Sequence, residues 1–275
     1  QGYHFISLGD SEELWENTTH AVLKHQKPSF QKEAKFIPTN AFIKIFGNHD
    51  LFWANDPFAP LLLKEAYGYD VPIYEGVILE SNIGGQPIHI FCTHGHQGDA
   101  VSDGNWFSKF FVSRIWAPLQ AYLKINPNTP AYDASLKTLH NNIMYQWSAA
   151  QDNLFLITGH THQPLFESLT HLERLCRQLL FAQKVSDADM LHQIEKEIQL
   201  RQFDYKSVAE DYLSLKPTYF NTGCCCFSDG DMSGIEIEEN CFRLIKWTRR
   251  DGTAHRIILE EAPLEELLQQ QKTEA

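Results

Sequence analysis

The chain has 275 residues, 43% of them hydrophobic and 21% charged, a composition that excludes a disordered or fibrous protein and leaves length for one large domain or two small ones. Its formal net charge of −12 excludes a basic coat for nucleic acid, so no nucleic-acid partner is expected. No run reaches the ~18 apolar residues of a membrane span. The six cysteines, three of them consecutive in GCCCF, have neither the spacing of a disulfide framework nor that of a zinc ribbon, and read as buried thiols of a reducing, cytoplasmic protein.

In chain order, strand and helix signals alternate. YHFISLG reads as a strand, and SEELWENTTHAVLKHQ as a helix with Leu14, Thr18, Ala21, Val22 and His25 on one face. AFIKIFG is a second strand. Asp56-Pro57 opens a helix that runs through LLLKEAY and stops near Gly68. EGVILES, PIHIFCT and NLFLITG follow as strands, then TYFNTGCCCF, SGIEIEE, CFRLIKW and HRIILEE, the last group joined by short turns such as ENC and Asp251-Gly252. Two segments break the pattern. Residues from about 105 to 152 carry an aromatic-rich helical insertion, and residues from about 165 to 215 a helical hairpin with Leu172, Leu175 and Leu179 on one arm and Met190, Leu191, Ile194 and Ile198 on the other. SDGDMSG has two aspartates in calcium-loop spacing but lacks the other ligand positions, and reads as a turn.

Four strand candidates stop at polar residues flanked by glycine. FISLGD ends on Asp10, FIKIFGNHD on Asn48, His49 and Asp50, HIFCTHGH on His94 and His96, and FLITGHTH on His160 and His162. Singly, each is a turn or a solvated loop residue. Together they place carboxylate, amide and imidazole donors at strand ends, where an α/β sheet binds ligands, and that donor set suits a divalent transition metal. His160 and His162, two apart on a turn, can reach different ions, with a carboxylate such as Asp10 bridging them across about 3.5–4 Å.

In this order and at these positions, LGD, GNHD, THGH and GHTH resemble the signature of the calcineurin-like metallophosphoesterases, over residues 9 to 162. The resemblance implies an α/β fold, a four-layer sandwich of two mixed sheets flanked by helices and carrying the two helical insertions, all within a single domain over residues 1–275. It implies two divalent metal ions, manganese first and iron or zinc behind it. Asp10 bridges them, Asn48, His94 and His160 complete one site, and His162 belongs to the other. His49 stands beside the leaving group as acid or electrostatic stabiliser, and Asp50, His96 and Asp99 support the ligands or touch substrate. The implied reaction is hydrolysis of a phosphate ester or pyrophosphate by a hydroxide that bridges the metals. A non-catalytic scaffold that keeps the fold is the alternative.

The family's opening Asp-x-His motif has no counterpart here: only eight residues precede the Gly9-Asp10 pair, and His4 has no aspartate two positions before it. The expectation is a chain cut at its N-terminus, lacking the first strand of the domain and impaired in activity. LGDSEELW and THGHQGD also resemble the branch that cleaves the pyrophosphate of UDP-diacylglucosamine. A phosphorylated small molecule or a lipid-linked substrate is therefore the expected partner. Trp106, Phe107, Phe110, Phe111 and Trp116 read as core packing or as a cap over an apolar part of that substrate. The 165–215 hairpin is a candidate for self-association.

Overall fold

Two short apolar runs that close on glycine, FISLG and FIKIFG, become strands whose ends face the same way. The structure is a computed structural model, and it describes residues 2–15, 17–96, 134–201, 214–225 and 230–273. β1 (Phe5–Ser7) runs parallel to β2 (Phe42–Ile45), with Phe5 opposite Phe42 and Ser7 opposite Lys44. β3 (Ile73–Tyr74) joins β2 on its other side, again parallel. Parallel pairing puts the C-terminal ends of β1 and β2 on one edge, so the turns at Gly9-Asp10 and Gly47–Asp50 leave the sheet together.

A parallel pair needs a crossover, and here it is helical: α1 (Thr19–His25), α2 (Lys27–Glu33) and a 3-10 turn over Ala34–Thr39. The helix expected from Ser11 onward begins only at Thr19, where the Thr18 hydroxyl accepts the Ala21 N–H at 3.3 Å. The reason is the competing demand on two carboxylates. Glu12 accepts hydrogen bonds from Lys44 Nζ at 2.8 and 3.0 Å and from the Trp53 indole at 2.9 Å, and Glu13 is bonded to His49. Helical winding through this segment would withdraw both. The crossover packs with α3 (Phe52–Asn55) and α4 (Ala59–Tyr67) on a core of Val22, Phe30, Trp53, Ala59, Leu63 and Tyr67. α4 ends, as expected, on Gly68 in the left-handed conformation.

The chain divides into two compact units, Gln1–Leu79 with Phe91–Asp133 and Thr158–His160, and Glu80–Ile90 with Ala134–Ile157 and Thr161–Ala275. β4 (Gly76–Ile83), β5 (Gln86–Thr93), β6 (Leu154–Thr158) and β7 (Tyr219–Asn221) form one sheet in that order. β8 (Met232–Glu238), β9 (Cys241–Arg250) and β10 (Thr253–Pro263) form an antiparallel one. Its two turns, Glu239-Asn240 and Asp251-Gly252, are left-handed at both central residues, the twist that two-residue hairpins require. In the second unit Phe155, Phe166, Phe220 and Phe242 meet edge to face, with Phe220 and Phe242 ring centres 4.8 Å apart. The class expected from the sequence, mixed α/β with several sheets and helices about them, is the class observed.

Among the described residues the second unit also holds three longer helices, α5 (Ala134–Ala149), α6 (His171–Val185) and α7 (Ala188–Arg201). A final helix, α8 (Leu264–Thr273), follows β10. α6 opens on a capping box, Thr170 with Glu173, and α6 and α7 bury Leu175, Ala182 and Ile194 with Leu179, Met190, Leu191 and Ile198. The aromatic cluster from Trp106 to Trp116 lies outside the described residues. Of the cysteines expected to be buried, Cys92 is, and its thiol is pushed up to about 12 by that burial; Cys176, Cys224 and Cys241 are half-buried and Cys225 is exposed.

One bridge ties α6 to β10: Glu260 accepts from His171 Nδ1 at 3.3 Å and pairs with Arg174 Nε at 2.9 Å. Burial would raise the Glu260 carboxyl, but the His171 hydrogen bond and the Arg174 charge outweigh it and hold the group below its ordinary value. A carboxylate depressed on folding stabilises fully above that ordinary value, 4.5, and ceases to do so as the pH falls through the depressed one. Glu260→Gln is expected to cost about 2 kcal/mol at pH 7 and to flatten the acid side of the stability profile. Urea titrations of both proteins at several pH values check this, and superimposable acid limbs would dismiss the bridge.

Candidate metal centre

Each strand end turns sharply, and the turn is built into the backbone. After Gly9, Asp10 is left-handed at φ 53°; after Gly159, His160 is left-handed at φ 66°, and His162 again at φ 56°. A left-handed residue other than glycine costs roughly 1–2 kcal/mol, so three of the expected ligands are held where the chain does not go unaided. Bare backbone makes the room. A Cβ on Gly47 would fall on the Asp10 carboxylate, and one on Gly9 would lie 2.8 Å from His94 Nδ1.

The groups so delivered converge. Asp10 Oδ2 lies 3.0 Å and Asn48 Oδ1 3.1 Å from His94 Nε2. The other nitrogen of His94, Nδ1, donates to the Leu8 carbonyl at 2.7 Å, which fixes the tautomer. With its proton on Nδ1, neutral His94 would turn an imine lone pair towards two oxygens. That meeting of acceptors holds together only around a positive charge, either a proton on Nε2 or a cation in its place. His160 closes the group: one donor atom from each of Asp10, His94 and His160 falls within 4.8 Å of the others, and the His94 and His160 rings stand 5.1 Å apart. His94 and His160 are buried and Asp10 nearly so. Oxygen and imidazole donors of this kind fit a divalent metal. The protonation behaviour agrees. Burial alone would raise the Asp10 carboxyl, yet the charge and hydrogen bond of His94, with smaller effects from His49, hold it well below the carboxylate range. Burial would lower His94, and Asp10 reverses this, so its imidazole is pushed up.

His49 sits against the same carboxylate by a different route. Its backbone N–H donates to Asp10 Oδ1 at 2.8 Å. Its ring stacks on Trp15, 4.3 Å centre to centre and 11° from parallel, and its Nδ1 is bonded to Glu13 Oε1. Burial would lower the His49 imidazole, but the Glu13 hydrogen bond and the Asp10 charge push it up. Asp50 is fully buried and accepts the backbone N–H groups of Gly47 and Ser11. It therefore holds the two strand-end turns to each other. Burial, followed by the charges of Asp10 and Glu12, pushes its carboxyl up to about 7.

Of the residues predicted from sequence, Asp10, Asn48, His49, Asp50, His94 and His160 are gathered here. His96 adjoins, its ring 5.4 Å from His94 and 6.0 Å from Phe46. His162 follows two residues after His160, half-buried and outside the group of three. Asp99 lies outside the described residues. Sequence reasoning passed over Glu12, Glu13, Trp15 and Lys44. The available signal was Lys44 itself, a cation at the centre of FIKIF that had to find a carboxylate.

A donor set of this kind at α/β strand ends defines a candidate metal site, and the comparison with known families agrees. The family model of the calcineurin-like phosphoesterases matches residues 1–164, more than half of the 275, and the chain belongs to that family. No curated protein and no solved structure matches it.

Glu13→Gln keeps the side chain's size and removes its charge. In metal-free protein the His49 titration, followed by NMR of the ring, is expected to move to lower pH, whereas an unmoved titration would mean that Glu13 does not govern this ring.

Proposed function

We propose that the protein hydrolyses a phosphate ester or pyrophosphate, with Asp10, Asn48, His94 and His160 holding a divalent metal and His49 serving as the proton donor. The observation that carries this reading is the convergence of Asp10 Oδ2 and Asn48 Oδ1 on His94 Nε2, while Asp10 Oδ1 takes the backbone N–H of His49. Bound there, a divalent ion supplies Lewis acidity and brings the acidity of water towards neutrality. Two ions are proposed, manganese first and iron or zinc behind it, with His162 assigned to the second by its place in GHTH alone.

The chain's own contribution is orientation and a proton. The Leu8 carbonyl fixes which nitrogen of His94 faces the oxygens. Trp15 and Glu13 hold the His49 ring, and with Nδ1 bonded to Glu13 the proton leaves from Nε2 towards the departing oxygen. The raised His49 imidazole keeps that proton available near neutral pH. The substrate is proposed to be a phosphorylated small molecule or a lipid-linked pyrophosphate, the setting a reducing one; the described cysteines Cys92, Cys176, Cys224, Cys225 and Cys241, none of them in a disulfide, support the latter. No helix among the described residues is long and apolar enough to cross a membrane.

His49→Ala is expected to lower turnover of an aryl phosphate by about 10²–10⁴ with bound metal unchanged by elemental analysis. Asp10→Asn should lose both. Metal lost from the His49 variant would remove the proton-donor role, and profiling on aryl mono- and diesters distinguishes the ester classes.

A further inference from the structure

The turn that carries His160 and His162 has Thr161 between them, and Thr161 is completely buried. A buried threonine flanked by two left-handed histidines is an anchor before it is anything else. Its hydroxyl donates to Asn141 Oδ1 at 3.2 Å and accepts from Asn221 Nδ2 at 3.2 Å. The Tyr219 hydroxyl, buried beside them, donates to the same Asn141 oxygen at 3.1 Å and accepts from Asn221 Nδ2 at 3.2 Å. Asn141 in turn donates to Gln163 Oε1 at 2.9 Å, and Asn221 Oδ1 takes the Gly223 N–H at 2.9 Å. Donors and acceptors therefore match around a closed ring of side chains from α5, β7 and the turn itself.

Asn221 holds this segment at both ends. Its side chain bonds Thr161, and its backbone exchanges both hydrogen bonds with Leu165, at 3.0 and 3.1 Å. Between those points Pro164 lies flush against Gly223, where a Cβ would stand 2.7 Å from the proline ring. A strained backbone persists only where its surroundings over-determine it, and here one asparagine pins residues 161 and 165 while Asn141 fixes Thr161 from the other side.

We infer that Asn221, with Tyr219 and Asn141, acts through Thr161 as a positioning network that sets the directions of His160 and His162. This rests on the metal reading proposed above, and it adds a role for residues outside that proposed ligand set. Thr161→Val keeps the shape and removes the hydroxyl, so both bonds to the asparagines are lost. Thr161→Ser keeps the hydroxyl. Tyr219→Phe removes one member of the ring and leaves the turn's own sequence intact.

The test titrates Mn²⁺ into the metal-stripped full chain by calorimetry, for the wild type, these three variants and His160→Ala, with circular dichroism and thermal midpoints of each metal-free protein. Thr161→Val is expected to bind Mn²⁺ roughly tenfold more weakly or worse, as loss of groups that orient metal ligands does elsewhere. Tyr219→Phe should weaken binding in the same direction, and Thr161→Ser should restore the wild-type affinity. If Thr161→Val does not fold, Tyr219→Phe carries the comparison. Folded variants that lose thermal stability but bind Mn²⁺ as the wild type does overturn the inference and leave the metal site standing. A wild type that binds no Mn²⁺, or a His160→Ala variant that binds it undiminished, overturns the metal reading and the inference with it.

Discussion

The contact between the Asp10 carboxylate and His94 is the constraint on which the first unit is organised. Neither group belongs in a protein interior on its own terms: burial would neutralise the acid and deprotonate the imidazole, and each is kept charged or metal-ready by the other. The Leu8 carbonyl prevents His94 from turning away, and the His49 N–H occupies the second carboxylate oxygen. A parallel strand pair is the local structure that supplies Asp10 and Asn48 from one edge.

Around that contact lie polar clamps that use no ligand. Asp50 takes an N–H from each of the two turns, at Gly47 and Ser11. Glu12 is joined to Lys44 and Trp53, which binds the segment after Asp10 to the middle of β2 and to α3. Lys44 is wholly buried. Burial would lower its ammonium, but the charge of Glu12, and then of Asp50, more than reverses the effect. A buried pair of this kind adds little net stability, and its removal from one side leaves an uncompensated charge, so its service is to fix which way the chain leaves β1.

The strands that carry the candidate site were legible because FISLG, FIKIFG, HIFCTHG and FLITG are apolar runs that end at glycine, and the candidate ligands because those ends carry polar residues in motif order. Asp10, Asn48, His94 and His160, expected from the sequence to lie together, are neighbours here. The stretch from Ser11 to Asn17 was not legible. Its Glu and Leu content favours a helix, while the structure spends Glu12 and Glu13 on partners more than thirty residues away, Lys44 and His49. Helical periodicity records one face and is blind to such long-range demands. Thr161 and Asn221 were hidden for a similar reason: a threonine inside GHTH and an asparagine inside FNTG look like turn residues until α5 and β7 close around them.

Gly47 faces the Asp10 carboxylate and Gly9 faces both Gly47 and His94, with no volume to spare at either. Evolutionary drift at these two positions is thereby barred by excluded space, independently of whether any ligand is exchanged. A descendant could trade one donor for another of similar reach and keep the cradle, whereas a single added methyl at Gly47 would evict the acid from it. The memory of the site thus resides as much in what these residues lack as in what their neighbours carry.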